Sequence, residues 1–100
     1  MVKPKDILAN CTGFQWDEDN LTKNWEKHDV SEGECEQIFF RQPLIVKRDK
    51  KHSKIENRYY ALGRTDAGRL LFLVFTVRKE KVRVISARDM TPVEKKRYRK

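Results

Sequence analysis

The sequence predicts a single α+β domain: a mainly antiparallel sheet with helices packing mainly on one face. Three observations carry this expectation. Two helix starts of the capping-box type stand far apart, Ser31 with Glu34 and Thr91-Pro92 with Glu94. Between them, short apolar segments are separated by connections of hairpin length, which makes the last strands an antiparallel meander. One segment, Leu70 through Phe75, is apolar on both parities and so reads as a central strand covered on both sides. A chain of 100 residues supports one modest core. The predicted order is β-α-α-β-β-β-β-α.

Taken in order, residues 1–13 show no period and contain Pro4, Asn10 and Gly13, so they read as an N-terminal extension to a domain over 14–100. Phe14-Gln15-Trp16 alternates apolar and polar and predicts a short first strand. Asp17 stands where an N-cap belongs, and Glu18 and Asp19 in the first turn suit the helix dipole. Leu21, Trp25 and His28 recur at helical spacing and align on one face of a first helix over about 18–28. Ser31 opens a second helix whose Cys35, Ile38 and Phe39 face the core, and Pro43 lies just past its end.

Leu44-Ile45-Val46 is the second strand, followed by a polar, basic loop from Lys47 to Lys54. Arg58–Arg64 is the third strand, and Thr65-Asp66-Ala67-Gly68 is turn chemistry. Arg69–Val77 is the central strand, Arg78–Lys81 a turn, and Val82–Met90 the last strand. It runs into a capped basic helix from Thr91.

The formal net charge is +8, but its distribution says more. Residues 1–40 hold four Lys/Arg against nine Asp/Glu, and residues 41–100 hold nineteen against six. Positive charge concentrated in the strand-rich half suggests a nucleic acid or another acidic partner there. A solvated basic surface that only keeps the protein soluble is the alternative. No run of eighteen apolar residues is present and no signal-peptide core follows Met1, so the expected location is the cytoplasm, with no membrane association. Cys11 and Cys35 are widely spaced, and neither they nor His28 and His52 fit a zinc pattern, which predicts free thiols. No GxGxxG, GxSxG or HExxH motif is present.

At this point the residues resemble the BrnT-type toxins. The segments Phe14-Gln15-Trp16-Asp17, Asn24-Trp25-Glu26-Lys27-His28, Glu56-Asn57-Arg58-Tyr59, Leu62-Gly63-Arg64, Gly68-Arg69-Leu70-Leu71 and Ile85-Ser86-Ala87-Arg88 occur in that family's order, with Glu94 and Tyr98 completing the tail. The resemblance spans residues 14–98. It implies a RelE-like ribonuclease fold, cleavage of RNA, free or ribosome-bound, and inhibition of translation. It also implies neutralisation by a BrnA-type antitoxin, with operator DNA bound only through that antitoxin. One departure stands out: the family usually has Gly after Lys-His, where a helix ends left-handed, and here Asp29 follows. Asp tolerates that conformation better than most residues.

Cleaving RNA requires a deprotonated 2′-hydroxyl, a protonated leaving 5′-oxygen and stabilisation of charge on the phosphate. A metal site needs clustered carboxylates or histidines, but the carboxylates here crowd into the N-terminal half. The expectation is therefore a site without metal or other cofactor, using fixed arginines suited to bidentate phosphate contacts. The candidates are Arg58, Arg83 and Arg88, from two sheet strands. Glu56 or Tyr98 would transfer protons; Glu56 would need a raised pKa to act as an acid, Tyr98 a lowered one to act as a base.

Structural alternatives stand beside these: a surface ion pair between Glu56 and Arg58, Tyr98 packing the last helix on the sheet, and His28 as a helix-terminal packing residue. Arg83 and Arg88 are five positions apart, so a regular strand would point them to opposite faces. Either a bulge intervenes or Arg88 belongs to the strand–helix corner. Lys47, Arg48, Lys50 and Lys51 would grip RNA phosphates or meet an acidic antitoxin. Two other functions remain open on these residues: a basic module that contacts RNA or ribosomes without cutting, and a co-repressor subunit of a DNA-bound complex.

Overall fold

The computed structural model describes residues 8–9, 11–16, 29–52 and 56–99. Its elements are β1 (Gly13–Gln15), α1 (Glu32–Ile38), β2 (Ile45–Asp49), a 3-10 turn (Lys50–His52), β3 (Arg58–Arg64), β4 (Leu70–Arg78), β5 (Lys81–Asp89) and α2 (Pro92–Tyr98). The helix expected over about 18–28 lies outside the described residues. Among those described, the order is β-α-β-β-β-β-α, and no helix is long and apolar enough to cross a membrane.

One five-stranded sheet runs β1-β5-β4-β3-β2, antiparallel except for β1, which pairs parallel to β5. The run that is apolar on both parities, β4, is its middle strand. Both capping boxes form in full. The Ser31 hydroxyl accepts the Glu34 amide at 3.1 Å while the Glu34 carboxylate accepts the Ser31 amide at 3.0 Å. Thr91 and Glu94 do the same at 3.2 and 2.9 Å, with Pro92 in the first turn of α2.

Alternation along the strands separates two apolar layers. The larger is made of Tyr59, Ala61, Leu71, Leu73, Phe75, Val82, Val84 and Ala87 on the sheet, covered by Cys35 and Ile38 of α1. Gly63 belongs to this face because a β-carbon there would stand 2.8 Å from Ile38 Cβ, so α1 packs against the sheet where a side chain would not fit. Burial also pushes the Cys35 thiol up to about 12. The smaller layer, on the opposite face, is Leu62, Met90 and Tyr98 with Ile45, Leu70 and Phe72 against it.

The two described helices therefore flank opposite faces of the sheet, not mainly one as expected. Leu62 and Gly63 are neighbours in sequence and point to opposite sides; Tyr98 takes one and Ile38 the other. The connection from β5 into α2 is too short to reveal which side the helix takes, so the sequence pattern carries no signal for it.

Two boundaries also differ. β1 begins at Gly13, and Leu8 and Cys11 pack against the larger core, while the Thr12 amide donates to the Glu80 carbonyl at 2.7 Å. The basic segment after Val46 is not all loop, because Lys47, Arg48 and Asp49 continue β2 along the sheet edge. They pair with Tyr60, Tyr59 and Arg58, which supply the backbone partners that a polar run cannot announce.

Candidate nucleic-acid interface

Pairing register decides which cations share a surface. Arg58 on β3 lies opposite Thr76 on β4, and Thr76 lies opposite Arg83 on β5. Directly opposed residues share a face, so the two arginines flank Thr76 on the side away from the larger core, with backbones about two strand spacings, roughly 10 Å, apart. Two residues along comes the row Lys47, Tyr60, Val74, Ser86, and beyond it Ile45, Leu62, Phe72, Arg88.

The parity conflict between Arg83 and Arg88 is resolved by a bulge. Val74 pairs with Ser86 but Phe75 pairs with Val84, which leaves Ile85 as the extra residue. That one residue returns Arg88 to Arg83's face while keeping Arg88 inside β5. The two do not meet, however: their rows are four β4 residues, about 13 Å, apart.

Glu56 stands just ahead of β3, and its carboxylate accepts from Arg78 Nε at 2.8 Å and Nη2 at 3.0 Å. Its ion-pair partner is thus Arg78 at the end of β4, not Arg58. These bonds hold its carboxyl below the usual range. Desolvation pushes the other way, and the charges of Arg78, Arg58 and Arg83 add to the lowering. Glu56 is therefore a carboxylate at neutral pH and not an acid ready to deliver a proton. The structure brings Arg58, Arg83, Glu56 and Arg78 into one neighbourhood.

Arg88 and Tyr98 are placed differently. The Arg88 guanidinium donates to both Glu94 oxygens, at 2.7 and 3.0 Å, and lies 4.1 Å from the Phe72 ring centroid. Tyr98 is buried, and its hydroxyl donates to the Pro43 carbonyl at 2.6 Å. Burial raises its pKa, with the Arg64 charge acting weakly against this, which is opposite to the shift that base catalysis would require. Its visible work is to hold α2 to the segment before β2.

Lys47 and Arg48 are exposed on β2, and Arg48 Nη2 donates to Asn57 Oδ1 at 3.0 Å. Lys50 and Lys51 project from the 3-10 turn. Arg48, Lys50 and Lys51 line a groove of about 400 Å³ whose other walls include Tyr60, Phe72 and Arg97. Among the described residues, no group of three or more His, Cys, Asp or Glu is placed to hold a metal ion.

Residues 16–94 match the family described as "Ribonuclease toxin, BrnT, of type II toxin-antitoxin system". The chain belongs to the BrnT family. The fold agrees: the crystal structure of the Brucella abortus ribonuclease toxin BrnT is similar with a TM-score of 0.62 at 20% sequence identity, covering 80% of this chain and 97% of that one. No curated protein sequence matches this chain. Membership in the BrnT family makes the chain a ribonuclease toxin of type II toxin–antitoxin kind, with an antitoxin partner and an RNA substrate at family level.

Several BrnT-like segments prove to be fasteners. Arg69 donates to Asp89 at 2.7 and 3.1 Å, to Glu34 at 3.1 Å and to the Asp29 carbonyl at 2.8 Å, clasping α1 to β4 and β5. Its pKa is raised, first by the Asp89 bond. Asp29, where the family usually has Gly, has φ 57° and so adopts the left-handed conformation that position requires.

The residues that motif reasoning missed are Arg78, Arg97, Tyr60 and Phe72. Arg78 has the parity of Phe72, Val74 and Thr76, so extending the central strand by one residue would have found it. Arg97 has no sequence signal beyond a basic helix.

Glu94 serves both as capping-box carboxylate and as partner of Arg88. The Arg88 bonds hold its carboxyl low, desolvation opposes this, and the Thr91 amide adds to the lowering. A depressed folded-state pKa contributes stability above the unfolded value of ~4.3, and that stability is lost as pH falls through the folded value. Glu94→Gln keeps a capping side chain and removes the charge. It is expected to cost roughly 1–2 kcal/mol at neutral pH, on the scale of a charge-assisted bond. Thermal melts of variant and parent should converge near pH 3; an equal gap at both pH values would refute the account.

Proposed function

We propose that this protein is the toxin of a type II pair, a RelE-like endoribonuclease that cleaves RNA without a metal ion. It thereby inhibits translation, and a BrnA-type antitoxin neutralises it. The observation that supports this most is the placement of Arg58 and Arg83 on either side of Thr76, with ionised Glu56 beside them. Two guanidinium groups two strand spacings apart on one face suit a phosphate, and a carboxylate beside them suits the proton of the neighbouring 2′-hydroxyl.

In this proposal Glu56 accepts that proton and the 2′-oxygen attacks phosphorus. The bond to the 5′-oxygen breaks, and that oxygen takes a proton from water. A 2′,3′-cyclic phosphate remains. Arg58 and Arg83 stabilise the added charge, and Arg78 orients Glu56. Arg88 and Tyr98 shape the far end of the face, while Lys47, Arg48, Lys50 and Lys51 hold flanking phosphates. The substrate is RNA, free or on the ribosome, and operator DNA is reached only through the antitoxin. The site needs no cofactor.

The test is expression with and without the antitoxin encoded beside it, together with an RNA digest. Expression should be toxic, Arg83→Ala should abolish toxicity, and purified protein should cut RNA in EDTA to leave cyclic or 3′-phosphate ends. Cleavage only with added magnesium, or toxicity undiminished in Arg83→Ala, would overturn the proposal in favour of a non-cutting RNA module or a co-repressor subunit.

A further inference from the structure

The groove between the 3-10 turn, β3 and α2 takes no part in the bond-making above, although Lys50 and Lys51 on its rim are assigned to flanking phosphates there. It lies on the same sheet face as Arg58 and Arg83, two to four residues further along the strands. That is about 7 to 13 Å, which one or two nucleotides of an extended strand cover. Its composition is distinctive: Tyr60 and Phe72, with ring centroids 5.6 Å apart and an interplanar angle of 25°, form a half-buried aromatic wall. Lys50, Lys51 and Arg97 stand around it.

Elsewhere on the protein several arginines are tied down by carboxylates: Arg41 by Asp66, Arg69 by Glu34 and Asp89, Arg78 by Glu56, Arg88 by Glu94. Among the described residues, Lys50, Lys51 and Arg97 have no such carboxylate partner. Two carboxylates also line the groove: Glu94, already neutralised by Arg88, and Asp49, which lies opposite Arg58 in the sheet.

We infer that this groove is a nucleotide subsite, in which a base next to the scissile phosphate packs on Tyr60, itself backed by Phe72 and Arg88, while Lys50, Lys51 and Arg97 hold its phosphates. Aromatic surface beside solvated cations matches single-stranded nucleic acid, in which every base has a π-face and every linkage a charge. An acidic protein segment would use the cations but has no need of the aromatic wall. The inference deepens the ribonuclease proposal and rests on it for the position of the scissile phosphate.

The experiment separates the two. The probe is a short 2′-O-methyl RNA oligonucleotide, which cannot be cleaved at any position, and binding is followed by fluorescence anisotropy across a salt series. A second probe has the same backbone without bases. Wild-type protein should prefer the base-bearing probe by roughly 5- to 100-fold, the scale of one stacked base. Tyr60→Leu with Phe72→Leu keeps apolar bulk, so the fold should hold by circular dichroism, yet this preference should vanish with the salt slope unchanged. Lys50→Ala with Lys51→Ala should instead lower the slope, by close to one per lost phosphate contact.

Equal binding of both probes by wild-type protein, or a preference that survives in the double-leucine variant, overturns the subsite. So does an unchanged slope in the double-alanine variant accompanied by weakened antitoxin binding, since the groove would then serve the antitoxin. Specific binding of the probes by a protein that cuts no RNA would support the subsite while refuting the nuclease.

Discussion

Replacing Arg83 with alanine is expected to slow RNA cleavage by about two to three decades and to leave the protein folded. The rate effect follows from the site: Arg83 is one of two guanidinium groups flanking Thr76, and its counterpart Arg58 remains in the variant. Losing one preorganised donor aimed at developing negative charge costs roughly 2.7–4 kcal/mol of transition-state stabilisation. Folding should survive because Arg83 is only half-buried and lies on the face opposite the larger core.

Arg83→Lys restores a charge but not a bidentate fork, so its rate should fall between the two. Arg41→Ala is the control, because its ion pair with Asp66 lies outside the site, and it should leave the rate nearly unchanged. The measurement is single-turnover cleavage of a labelled RNA with circular dichroism alongside. A wild-type rate in Arg83→Ala would mean the chemistry lies elsewhere. An unfolded variant would make the arginine structural.

Much of this arrangement could be read from residues alone, because local rules and tertiary demands agree. Both helix starts needed only a hydroxyl, a carboxylate three residues on and, in α2, a proline; those same atoms form the bonds. The central strand was visible because Leu70 to Phe75 is apolar on both parities, and the middle of a sheet is where that is needed.

The failures have physical causes too. Choosing between a bulge and a corner at Arg88 required the pairing of β4 with β5, since the side-chain pattern of β5 alone fits either. Spacing alone offers Arg58 as a surface ion-pair partner for Glu56, yet the bonded partner is Arg78, brought there by a hairpin that sequence distance conceals. The aromatic groove was hidden for the same reason. Tyr60, Phe72 and Arg97 come from three elements, and none carries a motif.

The largest stability effect should come from Phe75→Ala. Phe75 is fully buried at the centre of β4, packed edge-on against Phe39 at 5.3 Å and stacked on Tyr59 at 5.7 Å. It therefore joins the segment after α1, strand β3 and the middle of the sheet in one aromatic cluster. Truncation removes that apolar area from the core and leaves a cavity that three separately anchored elements cannot readily close. Phe→Ala at such sites costs about 3–5 kcal/mol, against a total stability on the order of 5–15 kcal/mol for a domain.

The urea midpoint should therefore drop by about a fifth or more, and a variant of a domain at the lower end of that stability range would be substantially unfolded at 37 °C. Val93→Ala is the matched control on α2, where the side chain is 69% exposed and truncation should be nearly neutral. A loss below about 1 kcal/mol in Phe75→Ala would mean the cluster is not the core. Equal losses at both positions would mean that burial does not set the scale of stability in this sheet.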